Sequence, residues 1–89
     1  MRKLIKDVAG VINDLVTLNL LNREDVVTEI RLNPKTKKNE MTVALSVYNQ
    51  ELLCLCLEMF QTLRAENGHA MGVLENDLCS KLTVQFYEQ

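Results

Sequence analysis

The chain has no tryptophan, one histidine, one proline, three glycines, two phenylalanines and two tyrosines among its 89 residues. So few aromatics leave the core to Leu, Val, Ile and Met, and provide no row of rings on which nucleic-acid bases could stack. Scarce proline and glycine exclude low-complexity and linker-like architectures. No GxGxxG, Walker, GxSxG, HExxH or EF-hand spacing is present, and an 89-residue chain without one is not expected to be an enzyme. No family motif is legible.

Basic excess is missing too. The net charge is −2, whereas nucleic-acid binders carry a strong positive surplus. The charge is uneven: Met1–Glu40 holds eight Lys/Arg against six Asp/Glu, and Met41–Gln89 holds two against six. A mildly basic half beside an acidic one suits protein partners, including a second copy. No run approaches the roughly 20 apolar residues of a membrane helix. Asp7, Asn13 and Asp14 interrupt any signal-peptide core near the start, and no A-x-A-like site follows. Three cysteines without framework spacing point to reduced thiols and a cytoplasmic setting.

What is present makes one small globular domain, 1–89. The apolar fraction of 47% is too high for a disordered chain. At this size about 60–65% of the unfolded surface is buried, which gives marginal stability and makes a homodimer an expectation.

From Arg2 to about Leu18 the apolar residues recur at helical spacing. Leu4, Val8, Val11, Ile12 and Leu15 form one stripe, flanked by Ile5, Val16 and Leu18. Asn19–Asp25 is the connection. The period then changes to two. Val26, Thr28, Ile30 and Leu32 alternate with Val27, Glu29 and Arg31, and Met41, Val43, Leu45 and Val47 alternate with Thr42, Ala44, Ser46 and Tyr48. These are half-buried strands of a hairpin whose basic tip, Asn33–Glu40, holds Pro34. Asn49 can cap a second helix over Gln50–Asn67, and Gly68 can stop it. The tail predicts a last hairpin of Ala70–Leu74 and Leu78–Tyr87 around a turn at Glu75–Asp77. The rival reading makes Val73–Ser80 a helical turn. The expected fold is α+β in the order α-β-β-α-β-β, with two helices on one face of a mostly antiparallel sheet of three or four strands.

Cys54 and Cys56 sit two apart in the second helix. On a helical wheel they point about 160° apart, so they cannot share a metal or a disulfide. Cys56 belongs to the core. Cys54 reads as an edge position covered by the sheet or by a partner. A zinc site would have to recruit Cys79 and His69. Strand packing accounts for Cys79, and an exposed turn accounts for His69. No catalytic residue, metal or cofactor is expected. Glu24–Asp25 and Glu75–Asp77 read as turn carboxylates.

Partner-binding candidates remain. They are Glu51, Cys54, Leu55, Glu58 and Glu66 on the second helix, Lys35, Lys37 and Lys38 at the hairpin tip, and Tyr48 and Tyr87 on the outward strand face. The apolar arc of the second helix, Leu55 round to Leu57, spans about 200°, wider than one sheet face covers. Either the first helix packs on the excess or it forms an exposed patch. The expected function is non-catalytic protein binding by a small regulator, adaptor or inhibitor of the size carried by phages and mobile elements. One alternative is a nucleic-acid module using Arg31, Lys35, Lys37 and Lys38. Another is a thiol or metal protein using Cys54 and Cys79.

Overall fold

The apolar stripe of the first helix is the stripe that the fold buries. A computed structural model describes residues 1–77 and 80–88. The elements are α1 (Arg2–Thr17), β1 (Val26–Asn33), β2 (Lys38–Ser46), α2 (Gln50–Asn67), β3 (Ala70–Asp77) and β4 (Lys81–Tyr87). A short 3-10 turn, Arg23–Asp25, precedes β1. Leu4, Val8, Ile12 and Leu15 of α1 are buried, and Ile5, Val11 and Val16 pack beside them. Leu18, read as a flank of the stripe, is instead exposed. The reason is backbone geometry. Asn19 takes φ 60°, and hydrogen bonds from Asn19 N to Val16 O and from Leu20 N to Leu15 O close a Schellman turn that swings the chain off the helix axis.

α2 is delimited as its sequence foretells. Asn49 Oδ1 accepts from Leu52 N at 3.1 Å. Gly68 lies at φ 66°, a region that costs a Cβ-bearing residue about 1 kcal/mol or more. His69 N bonds Arg64 O and Gly68 N bonds Ala65 O, a second Schellman turn. Asn67 Nδ2 donates to Asp7 Oδ2 at 3.2 Å and so ties the end of α2 to the start of α1.

The four strands are all antiparallel, in the order β1-β2-β4-β3. Each half of the chain runs helix, edge strand, central strand, and β2 and β4 join the halves. The rows Met41–Phe86, Val43–Val84 and Leu45–Leu82 face the helices and are buried. Phe60 of α2 meets Phe86 edge to face, with ring centroids 6.0 Å apart at 87°, a geometry favoured by the ring quadrupoles.

Three local expectations need correction. The first hairpin tip is shorter than Asn33–Glu40, because Asn33 pairs with Lys38 and only four residues remain in the loop. Asn33 Oδ1 accepts from Lys35 N at 2.9 Å, and Lys37 sits at φ 57°. The turn foreseen at Glu75–Asp77 is strand, since β3 runs on to Asp77 and the reversal follows it. A bulge at Leu74 makes this possible: Val73 pairs with Val84, but Glu75 pairs with Thr83. Without the extra residue Glu75 would share the inward face of Val73; the bulge turns its carboxylate outward. Tyr48 lies beyond the end of β2, in the connection to α2, and not on a strand face. The rival helical reading of Val73–Ser80 fails over the strand part, Val73–Asp77. The expected strand start at Leu78 and the placement of Cys79 lie outside the described residues.

Cys56 is fully buried, and burial pushes its thiol up to about 11. Cys56→Asp should abolish cooperative unfolding in circular dichroism, because it buries an unpaired charge. Cys54→Ser should leave the melt within about 0.5 kcal/mol of the parent. Asn49→Ala should lower stability by about 1 kcal/mol in urea titration. In the same assay Lys37→Gly should raise it by about 1 kcal/mol by relieving the left-handed loop residue.

Candidate functional site

α2 presents two different sides. Its inner side sends Leu52, Leu53, Cys56 and Phe60 into the core. Its outer side exposes Glu51, Cys54, Leu55, Glu58, Thr62 and Glu66. The residues between them decide whether the outer side is flat or grooved. Met59 and Leu63 are half-buried, and Val11 of α1 comes up against them. The result is an open crease of about 300 Å³ between the helices, floored by Val11, Met59 and Leu63 and rimmed by Leu55, Glu58 and Glu66.

The wide apolar arc of α2 therefore divides. Leu57 packs against the core, as does Leu63, whereas Leu55 is 43% exposed. α1 covers part of the excess and leaves the rest at the crease. Of the two covers expected for Cys54, the sheet is not one: the residue is exposed. Its separation from Cys56 across the helix is as the wheel requires.

The acidic rim is uncompensated. Glu51, Glu58 and Glu66 have no cation within ion-pair distance among the described residues, where the pairs are Met1 amine–Glu88, Lys3–Asp7 and Arg31–Glu29. Glu51 in the first turn is favoured by the helix dipole, as is Arg64 in the last. A field of one sign at the mouth of an apolar crease attracts a cationic, partly apolar segment.

The other sequence-derived candidates do not join this crease. Lys35, Lys37 and Lys38 are exposed at the first hairpin. Tyr87 lies near them: its ring covers Gly72, where an added Cβ would stand 3.4 Å from the hydroxyl. Lys38 and Tyr87 line a depression of about 540 Å³ with Glu40 and Glu88, so carboxylates interrupt the basic surface there. Arg31 is engaged with Glu29 at 2.6 Å. Tyr48 is 93% exposed and touches neither group.

His69 is not the exposed turn residue expected; it is half-buried. Its Nδ1 lies 2.8 Å from Asn67 O, and since a carbonyl only accepts, the ring donates there. Nε2 is buried without a hydrogen-bond partner among the described residues. Among those residues no three His, Cys, Asp or Glu side chains gather closely enough to hold a metal. No helix among them is long and apolar enough to cross a membrane.

Sequence reasoning missed Val11, Met59 and Thr62, because a crease between two helices depends on how α1 docks on α2. It also missed a second groove of about 240 Å³ between α1 and β1, lined by Ile5, Ala9, Val26 and Ile30. Alternation marked β1 as half-buried but could not say that it lies at an edge.

With Cys79 replaced by serine, native protein at pH 8 should take up one equivalent of a maleimide at Cys54. A second equivalent should react only in denaturant, when Cys56 is released; mass spectrometry of the labelled peptides checks the assignment.

Comparison with known proteins finds no matching family model, no matching curated protein and no matching solved structure.

Proposed function

We propose that the chain is a non-catalytic protein-binding protein, a regulator, adaptor or inhibitor that occludes or bridges a partner through the outer side of α2. One observation carries the reading: Glu58 and Glu66, uncompensated among the described residues, stand along an open apolar crease that contains Leu55. The partner that fits is a basic amphipathic segment. Its apolar side chains would enter between Leu55, Met59 and Val11, and its cations would meet the rim. Burial of Leu55 would contribute on the order of 1 kcal/mol, and the carboxylates would act mainly on association rate and on rejection of acidic competitors. The proposed setting is the cytoplasm, a reading supported by three cysteines without framework spacing.

Affinity capture from the source lysate, with nuclease present, tests the proposal. The parent chain should retain one stoichiometric protein that elutes with salt. Leu55→Asp and Glu58→Lys should each reduce its recovery about tenfold or more. Replacing Lys35, Lys37 and Lys38 by glutamine should change it little. Loss on the lysine replacement or on nuclease treatment, with the α2 variants unaffected, would move the function to the hairpin tip and nucleic acid.

A further inference from the structure

The two edges of the sheet are built differently. β3 is bulged at Leu74 and carries Glu75 and Asp77, both of which discourage pairing with another chain. β1 has no bulge, and its two charged residues, Glu29 and Arg31, are of opposite sign. Its eight residues, VVTEIRLN, pair with β2 in unbroken register and contain no glycine or proline. Six of them are exposed, including Val27 and Leu32, each more than 60%.

Half of its peptide groups also lack a partner among the described residues. Glu88 N donates to Asn39 O and Val47 N to Ser80 O, so the odd-numbered residues of β2 turn their peptide groups toward β4 and the even-numbered ones toward β1. Through the β1–β2 register, Val27, Glu29 and Arg31 are then the bonded residues of β1. Val26, Thr28, Ile30 and Leu32 point their N–H and C=O groups away from the sheet.

The geometry points to a second copy of this chain as the occupant of that edge, with β1 pairing antiparallel to its counterpart about a two-fold axis at Ile30. Charge selects this register. Centred on Ile30, the pairing sets Glu29 of each copy opposite Arg31 of the other, on the outer face, twice over, so that the Glu29–Arg31 pair within each copy, at 2.6 Å, joins a four-charge network. Centred one residue earlier it would set Glu29 against Glu29, and one residue later Arg31 against Arg31. Pro34, which lacks an N–H, ends the ladder at each side. On the inner face the two Ile30 side chains meet where each copy has its open groove between α1 and β1. The dimer thus continues the sheet to eight strands and brings together the two gaps, each lined by Ile5, Ala9, Val26 and Ile30 along with Asn13 and Arg23. This surface is separate from the crease on α2, so the inference does not rest on the binding role proposed there.

Sedimentation equilibrium of the full chain, combined with charge exchange, tests it. The parent should dimerise. Glu29→Arg alone and Arg31→Glu alone should each weaken the dimer roughly tenfold, since each sets like charges opposite one another twice. The double variant Glu29→Arg/Arg31→Glu should restore it, because the exchange keeps opposite charges paired. Circular dichroism checks that every variant is folded. In a chain with Cys54 and Cys79 replaced by serine, Ile30→Cys should oxidise to a covalent dimer, as directly opposed Cα atoms lie about 4.5–5.5 Å apart. Glu29→Cys and Arg31→Cys should not. A parent that stays monomeric at millimolar concentration, a double variant no better than the single ones, or cross-linking at residue 29 or 31 in place of 30 would overturn the inference.

Discussion

Everything else in this molecule depends on the burial of the inner face of β2 against β4. Met41, Val43 and Leu45 lie beside Phe86, Val84 and Leu82, and all six are excluded from water. This pairing joins residues some forty positions apart, and it alone connects the two helix–strand–strand halves within the sheet. Local propensity can form either hairpin, but neither hairpin has a complete core. Phe60 against Phe86 then binds α2 to the same row. With so few aromatics in the chain, this pair supplies a large share of the apolar area that any one contact can bury.

Two helices do not cover four strands evenly. The central rows are sealed, while the inner face of β1 meets α1 only across an open groove. That unevenness leaves two kinds of surface. The crease on α2 is apolar at its floor and acidic at its rim, and it suits a partner of opposite charge. The β1 edge is regular and carries one charge of each sign, the features from which pairing with a second copy is proposed. A small domain with marginal burial gains stability from association of either kind, because a partner that binds only the folded state shifts the equilibrium toward it.

Much of the fold was legible because its signals are local. The stripe from Leu4 to Leu15, the alternation through Val26–Leu32 and Met41–Val47, the cap at Asn49 and the stop at Gly68 depend on side-chain spacing and on single-residue backbone preferences. The same wheel placed Cys56 in the core and Cys54 beside Glu58 on the other side of α2. The reading failed where a neighbouring strand overrides local preference. Glu75–Asn76–Asp77 has turn composition, yet pairing with β4 and the bulge at Leu74 keep it extended. His69 follows a turn glycine, yet the start of β3 draws its ring partly inside.

Sequence by itself determined the type and order of the two helices and of the strands in the order α-β-β-α-β-β, and the inward side of α1, β2 and β4, since period and capping are properties of adjacent residues. Tertiary structure alone decided which strands lie at the edges, that β2 and β4 are neighbours, and where α1 and α2 leave an open crease. These are relations between segments distant in the chain, set by how amphipathic faces of unequal width fit together. Alternation looks the same in an edge strand and a central one. Only the assembled sheet distinguishes β1, whose outward peptide groups have no partner among the described residues, from β2, whose groups are bonded on both sides.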